Sequence, residues 1–92
     1  MVSQLTGMDV DEVRRISARL KVESANIGQL VSRVNSQIAV ARQAWKGTDS
    51  NHFIESWQAK QRQLKDIQTR IERLSASALS QANEQAATSR GM

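Results

Sequence analysis

The chain has 92 residues and a formal net charge of +4, from 13 basic and 9 acidic side chains, with four Gly and no Pro, Cys or Tyr. That length holds one small domain, the absence of Cys excludes a disulfide scaffold or a thiolate metal site, and no stretch approaches the roughly 20 apolar residues needed to span a bilayer. So little glycine and proline punctuation suits a few long helices rather than many short strands, and the mild basic excess raises the question of an acidic partner without deciding it.

Met1 to Met8 shows no period and is expected to be loose. It carries neither a charged n-region nor an apolar h-region, so no ordinary cleaved signal peptide is expected. Order begins at Asp9, a capping residue followed three places later by Glu12, the pattern of a capping box. Asp11 and Glu12 also put negative charge in the first turn, where the helix dipole favours it. Two interleaved sevenfold series follow. One holds Val13, Leu20, Ile27, Val34 and Ala41; the other holds Val10, Ser17, Ser24, Val31, Ile38 and Trp45. This is a heptad seam with two serines in its early part. Ile16 and Leu30 flank it, so the apolar stripe is wider than a two-helix seam needs. Gly28 sits inside this helix and weakens it by about 1 kcal/mol relative to Ala, either for a close helix approach or through tolerance at an exposed spot.

The stretch Trp45-Lys46-Gly47 ends the first run. Glycine just past the last periodic residue is a helix stop, because it takes the left-handed conformation without steric cost. Thr48, Asp49 and Ser50 are all N-cap types. One helix therefore ends and another starts with almost no loop, which forces the two to run antiparallel.

The second run has a seam of Phe53, Trp57, Leu64, Ile67, Ile71, Leu74 and Ala78, with Lys60 at one position. After Leu79 the apolar residues shrink to alanines. The expected organisation is a loose stretch 1–8, an all-α helical hairpin over 9–85 with helices at about 9–45 and 49–85, and a flexible tail over 86–92. Each helix is then about 50 Å long at 1.5 Å per residue. A two-helix hairpin gains little more from apolar burial than its ordering costs. The wide stripe, two Trp and one Phe have no second layer within the chain, and a second hairpin closing a four-helix bundle is the simplest remedy. The residues expected in the core or dimer seam are Val13, Leu20, Ile27, Val31, Val34, Ile38, Leu64, Ile67, Ile71 and Leu74.

A Trp-X-Gly turn at the midpoint of a chain of about a hundred residues, between long helices, resembles the WXG-motif family of hundred-residue, ESAT-six-like proteins. The resemblance covers residues 9–85. Gly7-Met8-Asp9 at the helix start and Phe53…Trp57 after the turn are similar to members of that family. It implies a helical hairpin that dimerises with itself or with a sister protein. It further implies export from the cytoplasm, without a cleaved signal, by a type VII secretion machine whose ATPase reads the folded dimer. The family's Trp and Gly fall on Trp45 and Gly47, with Phe53 and Trp57 packing beside the turn. Many exported dimers also carry Tyr-x-x-x-Asp/Glu after the second helix. This chain has no Tyr, and Leu79 to Glu84 do not match the spacing. A partner supplies that signal, or the chain uses a degenerate one, or it is not itself exported.

His52 is the only histidine, and a solvated surface residue in a first helical turn is the weightier reading than a pH sensor. It has no second His, no Cys and no paired carboxylates beside it, so no catalytic, cofactor or metal site is expected. No acidic residue lies between Glu23 and Asp49 or between Glu55 and Asp66. In an antiparallel hairpin that brings Arg33 near Lys60 and Arg62, with Arg42 and Lys46 nearer the turn. The alternative function is thus an intracellular coiled coil or nucleic-acid-binding hairpin using this mild basic belt. Gln and Ser dilute the belt and no aromatics interleave it, so a solvated face weighs more and nucleic acid is not the expected partner. Far-ultraviolet circular dichroism is expected to show well over half the residues helical; a stable sample dominated by strand or coil would contradict the hairpin.

Overall fold

The structure, a computed structural model, describes residues 8–90. It is a rod of 68 × 16 × 16 Å made of two antiparallel helices, α1 (Val10–Ala44) and α2 (Thr48–Arg90), joined by Trp45, Lys46 and Gly47. Residues 1–7 and 91–92, within the expected loose end and tail, lie outside the described residues. The second helix continues to Arg90, five residues past the boundary expected at 85. Ala86 and Ala87 are strong helix formers, and a shrinking apolar stripe removes packing without removing that propensity.

Asp9 caps α1 through its Oδ1, which accepts the Glu12 N–H at 3.1 Å. The capping box is only half formed. The Glu12 carboxylate accepts two bonds from Arg15, at 3.0 and 2.8 Å, instead of turning back to the cap. A two-pronged charge-assisted pair outcompetes a single neutral N–H donor. At the far end Trp45 closes α1 with its N–H on the Ala41 carbonyl at 2.8 Å and its own backbone extended. Gly47 follows at φ +130°, a conformation that side-chain-bearing residues rarely adopt. Its carbonyl takes the first α2 backbone bond, from Asn51 at 3.2 Å, and the hydroxyl of buried Ser50 at 2.9 Å. Gly47 therefore opens α2 rather than capping α1, and Ser50 serves from inside the first turn instead of as the N-cap.

The contact line between the helices mixes serines and an alanine with three branched aliphatic residues. On α1 its buried members are Ser17, Ser24, Val31 and Ile38; on α2 they are Ser50, Ile54, Ser75 and Ala82. Ser24, 1% exposed, is the largest side chain to be fully enclosed. The α2 seam is thus displaced from the expected one. Phe53, Ile67 and Leu74 each stand one residue before a buried or half-buried position (Ile54, Gln68, Ser75) and are 48, 46 and 60% exposed. The sevenfold spacing was correct but its phase was not, because two interleaved series share that spacing and the larger side chains belong to the outer one.

Small residues on the line let the helices approach closely. A Cβ on Gly28 would stand 3.0 Å from Nε2 of Gln68 across the interface. Gly28→Ala gains about 1 kcal/mol of helix propensity, and its one tight contact is with the far end of the flexible Gln68 side chain, which can give way, so its melting temperature should match or exceed the parent's. Gly47→Ala meets no neighbour but must hold φ +130°, and should cost about 1 kcal/mol or more. The opposite ranking by thermal melting would contradict this turn geometry.

Candidate interaction site

One face of the hairpin is apolar, and helix geometry says why. One step back along an α-helix turns about 100°, and four steps back turn about 40° in the same sense. Because α1 and α2 run antiparallel and their contact lines face each other, those steps lead to the same side of the pair on both helices. On α1 they reach Val13, Ile16, Leu20, Ile27, Leu30 and Val34. On α2 they reach Phe53, Leu64, Ile67, Ile71, Leu74 and Ala78, and the same steps interrupt the stripe with exposed Glu23, Gln37, Lys60 and Gln81. Val13, Leu20, Ile27, Val34, Leu64 and Ile71 are half-buried, while Ile16, Leu30, Phe53, Ile67 and Leu74 are exposed. The interior line, by contrast, includes Ser17, Ser24 and Ser75. Of the ten residues expected in the seam, Val31 and Ile38 are on the interior line and the other eight form this face.

At the tip, Trp45 and Phe53 stack at 5.7 Å between ring centroids with a 43° tilt, and both remain nearly half exposed. A tilted pair at that distance is favourable beyond the area it buries. Beside it, Arg42, Trp45, Gly47, Ser50, Ile54 and Gln58 help line an open cleft of about 600 Å³. Trp57 lies apart from the stacked pair. It is half-buried, and its indole N–H donates to Asn35 Oδ1 of α1 at 2.8 Å. Of the aromatic residues expected together near the turn, the fold brings Phe53 to Trp45 and sends Trp57 to the other helix.

The expected basic belt does not form one face. Arg33, Arg42, Lys46, Lys60 and Arg62 are all exposed, and none joins an ion pair among the described residues. Lys60 and Arg62 are two residues apart and so point to opposite sides of α2. The ion pairs that do occur, Arg14–Asp11, Arg15–Glu12 and Arg70–Asp66, are local to one helix and exposed. The Glu12 hydrogen bond holds the Arg15 guanidinium above its usual range, which changes nothing for a group already charged. His52 is exposed. Among the described residues no helix is long and apolar enough to cross a membrane, and no group of three His, Cys, Asp or Glu is placed to hold a metal ion.

Sequence reasoning missed the polar ladder that joins the helices. Ser17 Oγ donates to the Ser75 carbonyl at 2.8 Å, and Ser75 Oγ donates back to the Ser17 carbonyl at 2.7 Å. Ser24 Oγ lies 3.3 Å from the Gln68 carbonyl and 3.0 Å from Glu72 Oε1, and at the base Arg14 reaches Asn83 at 3.0 Å. Serine at a heptad core position was the available signal. With Trp45 44% exposed, Trp45→Ala should cost about 1 kcal/mol or less in thermal unfolding, against the roughly 3–5 kcal/mol of a core Trp. Trp57→Phe keeps an aromatic ring but removes the pyrrole half of the indole with its bond to Asn35, and should cost about 1 kcal/mol or more in thermal unfolding.

No curated protein and no solved structure matches the chain. A family model does, over residues 6–88, and its description is proteins of 100 residues with WXG. The first helix, the tip with Trp45-Lys46-Gly47 and all but the last two residues of the second helix fall inside that match. The chain belongs to the WXG100 family.

Proposed function

We propose that this protein is a small helical factor of type VII secretion, a substrate or the dimer partner of one, acting by protein–protein contact rather than catalysis. The observation that carries the reading is the largely apolar face shared by both helices and left open while four serines take up half of the buried interior positions. Each large aliphatic side chain moved from water to an interface is worth about 1.5–3 kcal/mol. A second hairpin laid on this face gives a four-helix bundle, and the partner is another copy of the chain or a sister WXG protein. The dimer forms in the cytoplasm and is exported folded, without a cleaved signal. Trp45, at the rod's end and clear of the apolar face's centre, belongs to the surface that the secretion ATPase reads. Exposed Trp is suited to such a contact because it offers a large rigid area at small entropic cost.

Sedimentation of the chain alone, and mixed with any sister WXG protein encoded beside it, tests the assembly. A mass of two hairpins is expected in at least one case. A species monomeric in both at micromolar concentration, and still melting cooperatively at high temperature, would defeat the reading. Secretion in the native host tests the tip: Trp45→Ala is expected to fold and dimerise but fail to be exported. Export at the parent's level would leave Trp45 as a turn marker only.

A further inference from the structure

The ladder between the helices has a constant register. The seven-residue step along α1 from Ser17 to Ser24 is matched by a seven-residue step back along α2 from Ser75 to Gln68. The eleven-residue step from Ser24 to Asn35 is matched by an eleven-residue step from Gln68 to Trp57. We infer that Ser17, Ser24, Ser75 and Asn35 are positioning residues that set how each helix is rotated about its own axis, and thereby which face the hairpin offers its partner. The inference rests on the proposed dimer for its consequence, not for its geometry.

The sequence carries two seams that compete for the interior. One is the line of Ser17, Ser24, Val31 and Ile38 that the fold buries. The other, about 40–100° round each helix, holds Leu20, Ile27, Leu30, Leu64, Ile67, Ile71 and Leu74. Hydrophobic burial alone favours turning the second, larger set inward, which would hide the face a partner needs. The hydroxyls oppose that rotation. Ser17 and Ser75 are bonded reciprocally into each other's main chain, which is possible only where the helices come close at both residues together. Ser24 has one hydroxyl proton to direct at the Glu72 carboxylate, 3.0 Å away, or the Gln68 carbonyl, 3.3 Å away, both on α2, and Asn35 holds the Trp57 indole. A rotation large enough to bury Leu20 and Ile71 breaks all of them at once, and the bulk it brings in pushes the helices apart. Interior polar groups characteristically select one register at some expense of stability. Ser36 and Thr69 supply the contrast. Their hydroxyls bond to the carbonyls of Ser32 and Lys65 on their own helices and bear on no rotation.

The chain has no cysteine, so paired spin labels can be placed without other changes. Labels at Val22→Cys and Arg70→Cys, both exposed, report the rotation and register of the two helices. Labelled chain is diluted into unlabelled chain, so that only distances within one hairpin are read. The parent sequence is expected to give one narrow distance. Ser17→Ala/Ser24→Ala/Ser75→Ala is expected to keep the parent's far-ultraviolet helicity, to broaden or shift that distance, and to weaken self- or sister-association about tenfold. Ser75→Ala alone, which leaves more of the ladder, is expected to do the same to a smaller degree, and Ser36→Ala to do neither. A distance in the triple and single serine variants that is as narrow as the parent's and unmoved from it, or association at the parent's strength despite a broadened or shifted distance, would overturn the inference. A parent that gives one narrow distance but never associates would overturn the proposed dimer instead, while the serine variants still decide whether the ladder sets the rotation.

Discussion

Ser17 and Ser75 each donate a hydroxyl into the other's backbone carbonyl, at 2.8 and 2.7 Å, in the interior of the rod. Much of the hairpin's form depends on this contact and its neighbours. Two helices can exchange bonds of this kind only at close range, and close range requires small side chains along the line. Ser24, Ser75, Ala82 and Gly28 meet that condition. The larger aliphatic residues are then displaced to one side, where a single hairpin covers them by half.

That arrangement makes the fold thin by the standards of a globular domain. Its interior holds Val31, Ile38, Ile54 and Ser50 toward the tip and Ser17, Ser24, Ser75 and Ala82 toward the base. Hydrogen bonds between neutral groups contribute about 1 kcal/mol each, less than a buried Leu or Ile. The half near the turn is therefore the better packed. It also carries the bond from Trp57 to Asn35 and the Trp45–Phe53 stack. The base relies on Ser17–Ser75, Ala82 and the exposed Arg14–Asn83 contact. A partner laid along the apolar face would add burial over the whole length, where the lone hairpin has least.

The tip shows how a turn of three residues can serve two ends. Extended Trp45 closes α1, and Gly47 at φ +130° turns the chain so that its carbonyl receives the first bonds of α2. With so short a connection, Trp45 has no further layer to cover it and meets Phe53 across the turn, both of them open to solvent. The same geometry that terminates one helix thus leaves an aromatic patch at the end of the rod. WXG100 membership marks this position, and exposure makes it available to another protein.

The sequence by itself determined the two helices, the turn at Trp45-Lys46-Gly47, the antiparallel hairpin and the family. These follow from local rules: Asp9 caps, Gly47 breaks, and the sevenfold spacing is legible on either side despite Ser17, Ser24 and Lys60 at seam positions. It also determined that the apolar stripe is too wide for two helices. Only the tertiary structure decided which of two series faces inward. Spacing gives the period of a seam and not its phase, and burial alone would have chosen Phe53, Ile67 and Leu74 over Ile54, Gln68 and Ser75. The phase was set by contacts between residues 58 apart in the chain, Ser17 and Ser75, whose hydroxyls have no preference until the helices meet. The parting of Trp57 from the Trp45–Phe53 pair has the same cause. Once the rotation of α2 is set, the indole N–H lies within reach of Asn35, and nothing in the local sequence around Trp57 names that partner.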